Sequence, residues 1–141
     1  MQSEPVMSAA ALNRFLEAEF PQMNGQMVVE EVQRNFTRCS MAMDDRHLRP
    51  GGTVSGPTMF TLADCAFYTA TLAMIGPQAL AVTTSSSINF MRKPDPTMLI
   101  AEARILKLGR ILCVGDVLIF NPHSDDPVAH ATMTYAIPPA K

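Results

Sequence analysis

One segment of this chain is a helix with almost no polar face, and it constrains the fold more than any other feature. Between about Pro57 and Met74, apolar residues recur at steps of three and four, which is the spacing of an α-helix. The main polar residues in it are threonines, and Asp64 is its only charge. A helix that is apolar nearly all round is a buried one. The rest of the chain must therefore fold around this segment.

The flanking sequence predicts one short helix and about five strands. Residues 8–20 have helical spacing and stop at Pro21, and we expect this helix to cover one edge of the fold. Alternating apolar and polar residues predict a single long strand over 27–43. Later strands are predicted over 80–92, 97–109, 110–121 and 127–137. The turn sequences between them favour antiparallel hairpin neighbours or near neighbours.

A single sheet that must bury one hydrophobic helix curls around it, which is an α+β layout. Tyr68, Phe60 and Phe67 should supply much of the bulk of the core. The chain of 141 residues fits one domain, over residues 1–141, in which 1–24 form the N-terminal helix and its lead-in.

The composition points to a chain that associates with copies of itself. Hydrophobic residues make up 48% of the sequence and charged residues 17%, which leaves little polar surface for a lone small domain. The formal charge of −2 gives no basic stripe, so a nucleic-acid partner is not expected. The N-terminus lacks the basic charge of a signal peptide, and no stretch reaches the roughly 18 apolar residues of a membrane span. We expect a cytoplasmic protein with no membrane partner.

The three cysteines give no sign of a metal or redox site. Cys39, Cys65 and Cys113 are widely spaced and form no CxxC pattern. A reducing compartment fits them best, and each is expected to be a small buried hydrophobe rather than a nucleophile. No metal site and no redox cofactor are predicted.

The start of the long helix has two interpretations. Ser55 or Gly56 suits the N-cap, and Pro57 suits the first turn, so the tripeptide can be nothing more than a helix start. Alternatively, the first-turn N–H groups, beginning with that of Gly56, form an oxyanion site helped by the helix dipole. Glycine at that position lets a ligand approach the backbone closely.

Asp64 also has two interpretations. A carboxylate among apolar neighbours costs several kcal/mol unless it is paired, hydrogen-bonded or reached by water. It is either a buried acid satisfied by an arginine or by threonine hydroxyls, or a general base or nucleophile in a pocket. Eight residues at 1.5 Å each separate Gly56 from Asp64 by roughly 12 Å. If both act on one carbonyl, they must come from different subunits, with two helices antiparallel across a twofold interface.

At these residues the chain resembles a known family. The stretches "GGTVSGPTMFTLADCAF" (51–67), "AVTTSSSINFMRKP" (81–94), "LGR" (108–110) and "VAHATMTYAI" (128–137) are similar to hotdog-fold acyl-CoA thioesterases of the phenylacetate-pathway (PaaI-like) group. The resemblance covers about 25–138. It implies a hotdog fold, a curved antiparallel sheet of five to six strands around one long central helix. It also implies an acyl-CoA substrate, with coenzyme A as part of that substrate rather than a separate cofactor.

The resemblance also implies roles for individual residues. In the family, a "GT-x-HGG" stretch opens the helix and a "LAD" acid is the catalytic carboxylate. By position, the Gly56 N–H would polarise the thioester carbonyl, and Asp64 would attack it or activate water. Ser55 stands where the family has His, and Pro57 replaces the second Gly, which removes one N–H donor. The family's usual loop Asn is missing.

Several further positions are candidates for substrate binding. They are Ser55, Pro57 and Thr58 at the helix start, His47 and Arg49 in the preceding loop, and Thr83 and Ser85 on a strand that often lines the acid pocket in this family. If strand alternation holds, Thr83, Ser85 and Ser87 share one face. The resemblance also implies that Arg92, Lys93 and Arg110 meet the phosphates of coenzyme A. His123 and His130, like His47, are expected to have surface roles.

The sequence therefore predicts a homo-oligomeric acyl-CoA thioesterase, as a homodimer or a homotetramer built as a dimer of dimers. An acyl pocket lined by methionines such as Met59, Met74 or Met91 is an alternative to methionines that simply fill the core. The alternative function is a module that binds acyl-CoA or another acyl ligand without hydrolysing it. Hydration or dehydration on the same fold is less favoured, because the site lacks the histidine that such chemistry usually uses.

Overall fold

The computed structural model describes residues 4–20 and 26–139, and its architecture is one antiparallel sheet around one long helix. The helices are α1 (Ala9–Glu19) and α2 (Gly56–Ile75). The strands are β1 (Met27–Gln33), β2 (Phe36–Ala42), β3 (Leu48–Arg49), β4 (Thr53–Val54), β5 (Val82–Phe90), β6 (Met98–Leu108), β7 (Leu112–Phe120) and β8 (Ala129–Ala136).

Six strands form the main sheet, in the order β1-β2-β6-β7-β8-β5, and every pairing is antiparallel. Strands β3 and β4 form a separate short hairpin just before α2. Helix α2 contacts all six strands of the main sheet. A curved antiparallel sheet wrapped around one long helix is the hotdog fold, so the predicted fold class is confirmed.

Helix α2 begins and ends where the sequence predicts. Ser55 is the N-cap, with its side chain accepting a hydrogen bond from the Thr58 N–H, and Pro57 lies in the first turn. Gly76, with a φ of 97°, ends the helix in a conformation that suits glycine. By length and composition alone, Gly56–Ile75 could also cross a membrane. Two thirds of that stretch is buried inside the protein, which accounts for its composition.

The predicted long strand over 27–43 is wrong. It is a hairpin of β1 and β2, joined at Arg34 and Asn35. Asn35 has a φ of 57°, in the left-handed region that asparagine tolerates better than most residues, and this reverses the chain. Gln33, Arg34 and Asn35 are three polar residues in a row, so the alternation does break at this turn.

Two smaller expectations about the core and sheet also need correction. Strand β5 pairs with β8 rather than with its successor β6, so "KPDP" begins a crossover and not a hairpin. Phe60 is 36% exposed and lies on the outer side of α2, whereas Phe67 is fully buried and Tyr68 nearly so. The last three strands β6, β7 and β8 are hairpin neighbours as predicted.

Helix α1 covers the β1 edge of the sheet, as expected from the sequence. Leu12 and Leu16 are buried against the core. The Asn13 side-chain amide donates to the Val29 carbonyl at 3.0 Å, and its oxygen accepts from the Val29 N–H at 2.9 Å. The Asn13 side chain thus pairs with the edge strand as another strand would. Pro21, the predicted stop of the helix, lies outside the described residues.

Candidate functional site

Asp64 lies at the edge of a cavity of about 300 Å³ between α2 and the first residues of β5. The cavity is lined by Phe20, Asp64, Cys65, Tyr68, Ala81, Val82, Thr83 and Tyr135. Asp64 is half-buried, one of the polar residues of a helix that is otherwise largely in the core. Neither an arginine nor any other cation contacts its carboxylate among the described residues. Of the two structural partners expected for Asp64, an arginine is absent among the described residues, whereas a threonine hydroxyl, that of Thr83, is present.

Two hydroxyl groups hold the Asp64 carboxylate, and both act on the same oxygen. Thr83 Oγ1 donates to Asp64 Oδ1 at 2.5 Å, and the Tyr135 hydroxyl lies 2.8 Å from Oδ1 and 3.0 Å from the Asp64 carbonyl oxygen. Across residues 4–20 and 26–139, no hydrogen bond reaches Oδ2. The carboxylate is thus oriented through one oxygen, and the other is available to a substrate or a water molecule in the cavity.

Tyr135 remains protonated beside this acid. Burial, and then the negative charge of Asp64, raise the pKa of Tyr135 well above its ordinary value. Its ring packs against Phe67 at 5.6 Å and Tyr68 at 6.1 Å between centroids. A rigidly packed phenol that keeps its proton is suited to donating a hydrogen bond to the carboxylate at all physiological pH values.

Helix α2 brings Gly56 to its first position, where the backbone N–H has no partner within the helix. Among the described residues, none accepts a hydrogen bond from the Gly56 N–H. The Phe90 ring lies against the glycine, since a Cβ at this position would come within 3.3 Å of Phe90 Cζ. Because both residues belong to one continuous helix, Gly56 and Asp64 are about 12 Å apart along its axis. One small reacting group cannot reach both within a single chain.

The other predicted residues of the helix start take part in local hydrogen bonds. Ser55 and Thr58 share a hydroxyl contact at 2.8 Å, and the Ser55 N–H donates to the His47 carbonyl at 2.9 Å. Pro57 is exposed on the outer side of α2, and it has no N–H to offer. Arg49 is exposed on β3.

The expected surface role of His47 is wrong, because its side chain is buried. His47 Nδ1 accepts from the Asp44 N–H at 2.9 Å, and Nε2 lies 3.4 Å from Gln26 Oε1. His47 therefore contacts the helix start through its carbonyl oxygen and not through its imidazole. His123 and His130 do form surface contacts, with Asp95 at 3.0 Å and Asp116 at 2.9 Å.

A bulge in β5 changes which of its polar residues face Asp64. Thr83 pairs with Tyr135 and Ser85 with Thr134, so Thr84 is an extra residue in the strand. Residues directly opposite each other share a face, which puts Thr83 on the side of Tyr135 and turns Ser85 to the other side. The expectation that Thr83, Ser85 and Ser87 share one face is therefore wrong. The face of Thr83 continues through Ser86, whose hydroxyl lies 3.3 Å from Met133 Sδ.

The three predicted phosphate-binding residues do not lie together. Arg92 and Lys93 are exposed just after β5, close to the start of α2, and Arg92 donates to the Pro127 carbonyl at 2.7 Å. Arg110 borders a groove with Ile75, at the opposite end of α2. The 20 residues of α2 put these ends about 28 Å apart. Within one chain, Arg92 and Arg110 cannot form a single cluster.

Cys39 and Cys113 are buried, as expected, whereas Cys65 is half-buried and lines the Asp64 cavity. Burial raises the pKa of Cys39 to about 11 and that of Cys65, which also feels the charge of Asp64, to about 12. Both thiols stay protonated at neutral pH and are poor nucleophiles. Met59 and Met74 are buried in the core, and Met91 is exposed. None of the residues lining the Asp64 cavity is a methionine.

Several residues around the candidate site are not marked by any pattern in the sequence. Tyr135 is 71 positions away from Asp64 and occupies an ordinary inward position on the last strand. Phe20 ends the N-terminal helix and lines the cavity together with Tyr68. Phe90 covers Gly56. Only the sheet order, which brings β8 and β5 beside α2, reveals these contacts.

Comparisons with known proteins agree with this fold. Residues 51–128 match the model of the thioesterase superfamily. A proposed thioesterase from Silicibacter sp. TM1040 is 47% identical, with a TM-score of 0.91 over 99% of this chain and 97% of that chain. No match was found among functionally curated proteins.

Two more distant structures share the fold. One is a proposed thioesterase from Ralstonia eutropha JMP134 related to phenylacetic acid degradation, with 21% identity and a TM-score of 0.78 over 89% of this chain and 98% of that chain. The other is a hypothetical thioesterase from Streptococcus pneumoniae TIGR4, solved with coenzyme A, with 23% identity and a TM-score of 0.75 over 93% of this chain and 99% of that chain. The family match spans more than half of the sequence, and the Silicibacter protein is similar over almost all of it. The chain belongs to the thioesterase superfamily.

Proposed function

We propose that this protein hydrolyses acyl-CoA thioesters, with Asp64 as the catalytic carboxylate. The observation that carries the proposal is the Asp64 carboxylate itself, held through Oδ1 by Thr83 and Tyr135 and open at Oδ2, at the edge of an apolar cavity. Two neutral hydroxyl donors hold the carboxylate in one orientation, and its second oxygen accepts from no described residue, so this oxygen can act on a ligand in the cavity. The coenzyme A bound to the Streptococcus pneumoniae relative supports a CoA thioester as the substrate class.

Hydrolysis can follow one of two routes from this geometry. Asp64 Oδ2 removes a proton from water, the resulting hydroxide adds to the thioester carbonyl, and the proton then leaves with the CoA sulfur. Alternatively, Oδ2 itself attacks the carbonyl, CoA leaves as a thiolate, and water hydrolyses the mixed anhydride. Single-turnover hydrolysis in H₂¹⁸O tests for direct attack, because ¹⁸O enters the Asp64 carboxylate only when water opens a mixed anhydride at the Asp64 carbonyl. Trapping of the anhydride with hydroxylamine covers the case in which water opens it at the acyl carbonyl instead.

The carbonyl oxygen needs a donor that a single chain does not bring to Asp64. We infer that the Gly56 N–H of a second subunit supplies it, at a helix N-terminus whose dipole favours negative charge. Two features support a second copy on this side. Strand β5 is an edge strand of nine residues, with unpaired backbone groups along one side. Three apolar side chains in this region are at least a third exposed: Val82 and Phe90 at the two ends of β5, and Phe60 on α2. The opposite edge, β1, is already paired by Asn13.

Substitution of Asp64 tests the proposed activity directly. Release of free thiol is measured from a panel of acyl-CoAs for the wild type, Asp64→Asn and Asp64→Ala. Loss of a general base lowers the rate by a factor of about 10² to 10⁴. Asp116→Asn is the matched control, because Asp116 is an equally half-buried carboxylate that pairs with His130 away from the cavity. Full turnover in both Asp64 variants would contradict the proposal.

The second candidate function is acyl-CoA binding without hydrolysis. Pro57 favours it, because a proline in the first turn removes a backbone donor at the oxyanion site. The double substitution Ser55→His with Pro57→Gly restores the family residues. A large gain in turnover from a nearly inactive wild type would support the binding function. A wild type that already turns over and gains nothing from the double substitution would support hydrolysis.

A further inference from the structure

One end of the Asp64 cavity is closed by a residue outside the segment that matches the family. Phe20 follows α1 and lines the cavity, and its ring meets that of Tyr68 edge-on, with centroids 5.4 Å apart and planes at 87°. Tyr68 lies one helical turn beyond Asp64, about 6 Å further along α2. The family match begins at residue 51, after α1. Phe20 therefore lies outside the segment that matches the family model.

The lining of this cavity suits an acyl group better than the phosphate-bearing part of a CoA thioester. Its walls are the rings of Phe20, Tyr68 and Tyr135 and the side chains of Ala81 and Val82. Among the described residues that line it, Asp64 is the only charged one, and none is a lysine or an arginine. Phosphates require cationic or N–H donors, whereas apolar walls gain free energy by burying methylene groups. A carbonyl placed at Asp64 would thus extend its acyl chain toward Phe20.

Helix α1 is attached to the protein at points that do not involve the Phe20 side chain. Leu12 and Leu16 are buried in the core, and Asn13 makes two hydrogen bonds to β1. Before the helix, the Val6 N–H donates to the Ala73 carbonyl at 2.7 Å. Phe20 itself is fixed by a backbone hydrogen bond to the Leu16 carbonyl at 2.8 Å, which any side chain leaves intact. The position of the wall therefore depends on one side chain.

We propose that Phe20 sets the longest acyl chain that this protein accepts, and so determines its specificity. The inference rests on the proposed function, since it assigns the acyl group to the Asp64 cavity. Truncation of Phe20 lengthens the cavity in the direction away from Asp64. Each methylene newly buried there raises affinity by roughly fourfold, so the preference shifts to longer chains.

The test compares wild type, Phe20→Ala and Phe15→Ala across straight-chain acyl-CoAs from acetyl to dodecanoyl. Phe15 is the matched control: it lies on the same helix, is half-buried and packs on the same Tyr68 ring at 6.5 Å, but it does not line the cavity. The values of kcat/KM are measured with thioesters, and dissociation constants are measured with non-hydrolysable thioether analogues. We expect the optimum of both profiles to move to longer chains in Phe20→Ala and to stay in place in Phe15→Ala.

A second variant covers the case in which Phe20→Ala does not fold. Phe20→Trp enlarges the wall, and we expect it to move the optimum to shorter chains. Unchanged profiles in the Phe20 variants, or equal shifts in Phe15→Ala, overturn the inference while hydrolysis by the wild type stands. A wild type that hydrolyses nothing but whose thioether profile shifts with Phe20 overturns the proposed hydrolysis and supports the inference. A wild type that neither hydrolyses nor binds any member of the series overturns both.

Discussion

Removing the Tyr135 hydroxyl should weaken catalysis more than it weakens the fold. Tyr135→Phe keeps the ring and its packing against Phe67 and Tyr68, and it deletes only the donor that lies 2.8 Å from Asp64 Oδ1. The Asp64 carbonyl is the other acceptor of that hydroxyl, and as part of an α-helix it keeps its intrahelical hydrogen bond when the hydroxyl is removed. The carboxylate is then held by Thr83 alone and can rotate within the cavity.

The expected magnitude follows from these contacts. A hydrogen bond to a charged group contributes about 1.5–3 kcal/mol. The lower end applies here, because Thr83 still donates to the same oxygen at 2.5 Å and water can reach the half-buried carboxylate. About 1.5 kcal/mol corresponds to a roughly tenfold lower kcat. KM should change little, since the hydroxyl orients the carboxylate and the ring that contacts the substrate remains.

Steady-state kinetics with a chromogenic thiol reagent measure both constants. Tyr68→Phe is the comparison, because it deletes a hydroxyl from the same cavity whose partner is the Ala79 carbonyl at 3.1 Å. We expect kcat to fall less in Tyr68→Phe than in Tyr135→Phe, with similar losses in the free energy of unfolding. Equal kcat values for the two variants, or a rise in KM alone for Tyr135→Phe, would refute the role of Tyr135 in orienting Asp64.

Three further predictions concern the fold. Gly115→Ala should cost at least about 1–3 kcal/mol in urea unfolding, because its Cβ would lie 2.1 Å from the Arg104 carbonyl oxygen. Asn13→Ala should lower the free energy of unfolding by about 1–2 kcal/mol and speed hydrogen exchange of the Val29 amide, because both side-chain hydrogen bonds to Val29 are lost. Unchanged exchange at Val29 would mean that other contacts hold this edge strand. Burial raises the pKa of Cys39 from 9.0 to about 11 in the folded protein. As the pH rises, the thiol therefore ionises first in the unfolded chain, and the free energy of unfolding should fall between pH 9 and about 11. Cys39→Ala should make that pH dependence shallower.

The sequence pattern predicts those elements that one local feature determines, such as apolar periodicity, a helix cap or a run of turn residues. An apolar helix bounded by Ser55 and Gly76 has few alternatives, and it is found at Gly56–Ile75. Asp64 stands out because a lone carboxylate in such a helix needs a special environment. The three last strands are separated by turn residues that end each alternating run, so their order along the chain was readable as well.

The features that the pattern missed depend on one residue or on the order of strands. The reversal at Asn35 falls at the end of three consecutive polar residues, a run that also suits an exposed part of a strand. The bulge at Thr84 lies within five consecutive polar residues, 83–87, where no alternation marks a face. Tyr135 reaches Asp64 only because β8 lies between β7 and β5, a pairing that no local spacing specifies. The sequence singles out Asp64 as the candidate carboxylate, but it does not reveal the contact with Tyr135 that helps to hold it.

The central claim is that each active site combines Asp64 of one subunit with the Gly56 N–H of another. Gly56→Pro deletes that N–H, and Gly56→Ala is its control, since both add a Cβ beside Phe90 and only proline removes the donor. The backbone accepts the change, because Ser55 has the extended conformation, φ −72° and ψ 150°, that a residue before proline requires. Loss of one oxyanion donor lowers kcat by about 10² to 10³.

Co-expression of Asp64→Asn and Gly56→Pro chains with different affinity tags, followed by purification on both tags, selects the heterodimers that the shared site requires. Their thioester hydrolysis is the most direct measurement. A shared site predicts that each heterodimer contains one intact site and recovers about half of the wild-type rate, although each homodimer is nearly inactive. Heterodimers no more active than the two homodimers would contradict the account.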